Sequence, residues 1–272
     1  MSCNPALPIF EQSERTPAAL ALYVDGVNLS YSELANRACA LASTFQEHAL
    51  GSGSRIGILA SKSLLAIEAV LAVAWCGATY VPLSPRWPAL RMTEVLSQVA
   101  LDAMVVDQSA VACLDTLDLS GLKLIVLSDD AAVRSLNREI DGKVLALESL
   151  PGGRETTVPA VMSSEQVAYI IFTSGTTGAP KGVVVPCGSV AAYLRALAMR
   201  KELRAEDRVS HFTELSFDPA MGEIFVTLAS GASLHVVPPV NQVSPVRFIR
   251  DQKLTVWGSA PSAISWMRDT RS

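Results

Sequence analysis

The residues best suited to chemistry stand in one run, Tyr169-Ile170-Ile171-Phe172-Thr173-Ser174-Gly175-Thr176-Thr177-Gly178-Ala179-Pro180-Lys181-Gly182-Val183. Glycines permit positive φ and leave the amides uncovered, so successive N–H groups can converge on an anion while Ser and Thr hydroxyls donate to its oxygens. Lys181 adds a point charge on a flexible stem. That chemistry is the gripping of phosphate. The plain alternative, a polar β-turn with a surface lysine, is the usual reading of a short Gly-rich motif. The length of this element, its residue order and the β-prone stretch leading into it favour phosphate. The common P-loop does not fit, because counting from Gly175 puts Pro180 at the second glycine and Gly182 after the lysine.

The loop needs a strand on each side, and the chain around it reads as alternating helices and strands. Ser30-Tyr31-Ser32-Glu33 is a capping-box pattern, after which Leu34, Ala38, Leu41 and Phe45 recur at helical spacing. Strand 55–59, helix 63–75, strand 78–82 and a helix over 89–99 follow. Short apolar runs at 103–106, 122–127 and 143–147 read as strands. Residues 151–158, Gly-rich and charged without apolar period, read as a surface linker. Beyond the loop the pattern predicts a helix through Val190, Leu194 and Leu197, a strand at 208–212 and a helix from Pro219 stopped by Gly231. Strand 234–237, helix 245–252, strand 254–258 and the opening of a helix at 261–267 complete the series. This alternation predicts an α/β fold, mainly parallel sheets flanked by helices.

Bulk properties narrow the function. The 272 residues are 50% hydrophobic, ample for a buried core, and the net charge of −4 gives no footprint for nucleic acid or anionic membrane. Five cysteines without C-x-x-C spacing read as reduced, mostly buried thiols of a cytoplasmic protein. His48, His211 and His235 lack ligand spacing, so no metal site is expected from them. Residues 64–83 carry one charge, Glu68, and match a bilayer span in length. Gly77, Pro82 and the β-prone 78–81 instead predict a buried helix running into a buried strand, with no membrane partner.

Nearly residue for residue, the loop resembles the signature of the adenylate-forming (AMP-binding) superfamily: amino-acid adenylation domains, acyl- and aryl-CoA synthetases, and luciferases. The resemblance covers almost the whole chain and is nearest to the N-terminal part of adenylation domains of nonribosomal peptide synthetases. Residues 29–34 and 72–85 are similar to that family's early structural motifs, with departures at Trp75-Cys76 and Ser84. Ser216-Phe217-Asp218-Pro219-Ala220-Met221-Gly222-Glu223 resembles the motif whose aspartate pairs with the substrate's α-ammonium. Read alone, Asp218 could equally cap the helix starting at Pro219.

The resemblance implies ATP-dependent activation of an amino-acid carboxylate as an aminoacyl-adenylate, with loss of pyrophosphate. It implies ATP binding by Thr173, Ser174, Gly175, Thr176, Thr177, Gly178 and Lys181, where Lys181 either pairs with phosphate or anchors the loop. Asp218, Pro219, Gly222 and Ser262 fall at substrate-binding positions, and Gly222 stands where many relatives carry a bulky aromatic, which would leave room for a longer side chain. Cys187 stands where the family often has His. Mg²⁺ is implied with ATP, but its usual ligand is not matched in residues 1–272, nor are the ribose-binding aspartate, the hinge and the lysine of the mobile C-terminal domain. The implied partners are an amino acid and a carrier-protein domain. Three readings stay open at this point: part of an amino-acid-activating ligase, inactive as this chain alone; a non-catalytic remnant or nucleotide-binding module; and a fragment of an acyl- or aryl-CoA synthetase, against which Asp218 argues.

Overall fold

In a computed structural model, residues 2–136, 138–150, 157–174, 179–243 and 245–260 are described. In chain order the elements are α1 (Leu7–Arg15), β1 (Leu20–Val24), β2 (Val27–Ser30), α2 (Tyr31–Glu47), β3 (Arg55–Leu59), α3 (Leu64–Trp75), β4 (Thr79–Leu83), α4 (Ala89–Gln98), β5 (Ala103–Val106), β6 (Leu124–Leu127), α5 (Asp130–Arg134) and β7 (Lys143–Ala146). Then come β8 (Val167–Ser174), β9 (Pro180–Pro186), α6 (Cys187–Lys201), β10 (Arg208–His211), α7 (Pro219–Ala229), β11 (Ser233–Val236), α8 (Pro239–Val243) and α9 (Val246–Asp251). The chain divides into two compact units: Met1–Leu7 with Asn36–Ala192, and Pro8–Ala35 with Tyr193–Ser272.

The first unit holds a seven-stranded sheet in the order β7-β6-β5-β3-β4-β8-β9. Every neighbouring pair is parallel except β8 with β9. Its central strands β6, β5, β3 and β4 are short apolar runs buried along almost their whole length, as befits strands covered on both faces. Leu59, Val81, Met104, Ile125 and Phe172 join one buried cluster with Met92 and Val95 of α4. The 64–83 segment is α3, a turn and β4: Ser63 caps the helix through a bond from the Ala66 amide at 3.3 Å, and Gly77 at φ +74° releases the chain into the strand. Glu68 is buried on α3 and bonded to Arg37, which explains a charge in so apolar a stretch. No helix among the described residues is long and apolar enough to cross a membrane.

The second unit has a four-stranded sheet, β10-β11-β1-β2, parallel except between β1 and β2. α7 buries Ala220, Ile224, Phe225 and Leu228 at the spacing expected of a core-facing helix. The capping box forms: Glu33 Oε2 accepts the Ser30 amide at 2.8 Å and Ser30 Oγ accepts the Glu33 amide at 3.3 Å. The Tyr31 hydroxyl lies 2.9 Å and 2.8 Å from the carbonyls of Leu228 and Ala232, tying the start of α2 to the end of α7. The strand expected at 254–258 is instead a single bridge, Val209 to Val256. Lys253, at φ +51°, ends the turn after α9, and the Thr255 and Val256 amides both donate to the Arg208 carbonyl, at 3.0 Å and 3.2 Å, so no regular ladder develops. The helix expected at 261–267, and residues 151–156 of the expected linker, lie outside the described residues. Thr157 does not hang free, since its carbonyl accepts the Trp75 indole N–H at 2.7 Å.

Candidate functional site

The phosphate-type loop is carried by a β-hairpin, β8 and β9, with Phe172 opposite Gly182, Thr173 opposite Lys181 and Ser174 opposite Pro180. Directly opposed residues on an antiparallel pair share a face, so the Thr173 hydroxyl and the Lys181 ammonium project from the same side. Thr173, Ser174 and Lys181 are exposed, whereas Phe172 just below them is buried. Gly182 has a packing reason: a Cβ there would stand 3.1 Å from Phe172 Cζ and 3.3 Å from Ile170 Cγ2. The Gln98 side chain of α4 donates to the Pro180 carbonyl at 3.0 Å and holds the outer strand. β8 runs parallel to β4, so the loop leaves from the carboxyl edge of the parallel strands, where open α/β sheets place their ligands. Gly175, Thr176, Thr177 and Gly178 lie outside the described residues, as does Ser262.

The second cluster lies in the other unit, on α7. Asp218 occupies the N-cap position but has helical dihedrals, φ −56° and ψ −31°, and its side chain makes no cap hydrogen bond. A capping residue normally has extended dihedrals and bonds an amide of the first turn. The helix-cap alternative therefore does not hold, and the exposed carboxylate is left for another partner. Pro219 follows as an exposed first helical residue, and Gly222 is buried one turn on. The space above Gly222 is not open. A Cβ there would stand 2.6 Å from Tyr193 Oη and 2.5 Å from Leu197 Cδ2, both on α6, so room for a longer side chain does not follow from this glycine.

At the base of α7 is a buried hydrogen-bonded pair, His211 and Glu223, that sequence patterns did not single out. Glu223 Oε2 accepts His211 Nδ1–H at 2.8 Å and the amides of Phe212 and Thr213 at 3.1 Å each, while Oε1 accepts the Thr213 hydroxyl at 2.6 Å. His211 is fully buried and Glu223 nearly so. Burial works to raise the Glu223 carboxyl, but the hydrogen bond and charge of His211 and the Thr213 donors outweigh it and hold it below the ordinary 4.5. The pair fixes residues 211–213 to α7 and so sets how the chain enters the turn at Asp218. One signal was available: a carboxylate inside the apolar stripe from Met221 to Leu228 demands a buried partner.

Cys187, at the start of α6, is a packed thiol. It is fully buried, donates to the Cys3 carbonyl at 2.8 Å, and is pushed up to about 11 by burial and the neighbouring Cys3. It cannot do what a histidine there would do. All five cysteines are free, and among the described residues no group of three or more His, Cys, Asp or Glu gathers for a metal.

Comparison with known proteins gives this geometry a family. The family described as AMP-binding enzyme matches residues 9–272. Chondramide synthase cmdD of Chondromyces crocatus is 34% identical over 233 residues, 84% of this chain and 6% of that protein. Tyrocidine synthase 3 of Brevibacillus parabrevis is 30% identical over 257 residues, 93% of this chain and 4% of that protein. The crystal structure of the Vibrio cholerae adenylation domain AlmE, in complex with glycyl-adenosine-5'-phosphate, superposes with a TM-score of 0.85 at 28% identity over 100% of this chain and 52% of its own. The chain thus spans about half of that solved domain and a small part of the curated synthases. With the family's match covering nearly every residue and the hairpin and α7 in place, the chain belongs to the AMP-binding enzymes.

Proposed function

We propose that this chain is the front part of an amino-acid-activating ligase: within the whole polypeptide, an amino-acid carboxylate attacks the α-phosphorus of ATP, an aminoacyl-adenylate forms and pyrophosphate leaves. The observation that carries the reading is the loop end of the β8–β9 hairpin. There the exposed hydroxyl of Thr173 stands across from the Lys181 ammonium, with the exposed Ser174 next in the strand opposite Pro180, at the carboxyl edge of a parallel sheet. These donors suit the β- and γ-phosphates, where charge builds as pyrophosphate departs, and Thr176 and Thr177 extend the same chemistry around the loop. Donors preset by a hairpin pinned at Phe172, Gly182 and Gln98 need no reorganisation as that charge develops.

Asp218 selects the class of acid. A carboxylate free of the helix cap pairs with an α-ammonium, which a fatty or aryl acid lacks, and that supports an amino acid over the acyl- and aryl-CoA alternatives. Mg²⁺ belongs to the reading as the usual companion of ATP, but none of the described residues is assigned to it. The carrier-protein partner rests on the likeness to peptide synthases. Five free thiols support a reducing, cytoplasmic setting.

The test is amino-acid-dependent exchange of pyrophosphate into ATP by the full-length polypeptide, with and without Thr173→Ala/Ser174→Ala. Hydrogen bonds to a charged group are worth about 1.5–3 kcal/mol each, so exchange should fall by at least two orders of magnitude. Unchanged exchange in the double variant would remove phosphate from this hairpin.

A further inference from the structure

We propose that Tyr193 reads the substrate's side chain: its phenol fills the place left by the missing side chain at 222, one turn from Asp218, and shapes the site for an amino acid whose short side chain carries a hydrogen-bonding oxygen or nitrogen. The inference rests on the reading that Asp218 holds the α-ammonium.

Asp218 and Gly222 are four residues apart, so they share one face of α7 about 5–6 Å from each other. The α-nitrogen of an amino acid stands roughly 3–4 Å from the γ-atom of its own side chain, given standard bond lengths. A substrate whose ammonium meets Asp218 therefore presents its β- and γ-atoms near position 222. Tyr193 and Leu197, themselves one turn apart on α6, close that position with one polar and one apolar atom, Oη and Cδ2. The slot is thereby shortened, which excludes the long side chain that an empty glycine position would admit.

The chemistry of the phenol gives the polarity. Tyr193 is 39% exposed, and its hydroxyl makes no hydrogen bond to another described residue. Burial and the carboxylates of Asp218 and Glu223 raise its pKa, against a smaller opposing effect of Arg200, so it meets the substrate as a neutral donor. An apolar side chain laid over it would strand that donor without water, whereas a hydroxyl or amide would satisfy it. Sites built around a polar contact reject analogues that lack it far better than apolar slots reject an extra atom.

The test compares near-isosteric pairs, Ser with Ala, Thr with Val and Asn with Leu, by kcat/KM for pyrophosphate exchange in the full-length polypeptide. The parent should prefer the polar member of at least one pair, and Tyr193→Phe should reduce that preference about tenfold, the scale of one neutral hydrogen bond. Tyr193→Ala should in addition admit longer side chains, such as Leu or Met, that the parent refuses. If the parent exchanges with an amino acid and loses exchange in Asp218→Ala, yet both Tyr193 variants keep its selectivity, the role of Tyr193 is overturned and the proposed activity stands. A parent whose best substrate is a long apolar amino acid also overturns it. A parent that exchanges with no amino acid overturns both readings.

Discussion

Replacing Glu223 by alanine should be the most damaging single change in the second unit. The carboxylate receives His211 Nδ1–H, two backbone amides and the Thr213 hydroxyl, so truncation strands four donors at once, one of them on a fully buried ring. Removing one partner of a buried pair costs about 3–5 kcal/mol. Glu223→Gln keeps the shape and one acceptor oxygen, and should cost less, about 1–3 kcal/mol. Hydrogen exchange read by mass spectrometry over residues 211–229 localises the effect, because α7 amides open only with the elements packed on them. A loss of 3 kcal/mol speeds their exchange by about 150-fold. The pH dependence adds a second signature. Since the folded carboxyl titrates below 4.5, its stabilisation is present above that value and is lost as pH falls through the lowered folded pKa. Glu223→Gln should lack that acid-side slope. Exchange of α7 amides within about fivefold of the parent in Glu223→Ala, roughly 1 kcal/mol, would refute the claim that this pair holds the turn to Asp218.

Asp218→Ala should leave thermal stability within about 1 kcal/mol, since no cap bond is lost, while amino acids lose exchange far more than their des-amino analogues; a large fall in melting temperature would restore the capping role. His235, pushed down to about 4 by burial and the Arg208 guanidinium, stays neutral in the folded state while the unfolded chain protonates from 6.5 downward. Stability should therefore be full above pH 6.5 and fall between 6.5 and about 4, and His235→Gln should flatten that decline in urea titrations. Gly142→Ala places a Cβ 2.2 Å from the Leu122 carbonyl oxygen, a backbone atom that cannot swing aside, and should cost about 1–3 kcal/mol with loss of amide protection in β7.

The parallel strands and their helices were legible because their apolar runs end on strong punctuation. Gly77 stops α3, Pro88 precedes α4, and the run 103–106 is bounded by polar residues, so these elements fall within about a residue of expectation. Residues 239–243 were not read as a helix, because Pro238-Pro239 signals a turn and five residues give no period. Among residues 254–258, which have the composition of a strand, only Val256 forms a β-bridge, a matter of tertiary placement that composition does not carry. At the site, the hairpin and Asp218 could be placed from local pattern. The His211–Glu223 pair could not, as the eleven intervening residues carry no motif for it. Gly222 misled for a related reason: a glycine says that its own side chain is missing, and says nothing of which neighbour takes the space.

The second unit is assembled from two stretches of chain, with the whole of Asn36–Ala192 between them. β1 can pair with β11, as Leu22 does with Leu234, only after roughly 200 further residues have been made. At ribosomal speeds of about 5–20 residues per second, that is a wait of about 10–40 s. Throughout it, one edge of β1 has unpaired amides and carbonyls, and Ala21, Leu22 and Val24, buried in the finished fold, lack part of what covers them. The first unit has its central strands in hand by residue 186 and can close earlier. A nascent chain stalled after β9 should therefore carry a folded sheet behind an open, sticky N-terminal hairpin, the state in which a holdase chaperone would find it.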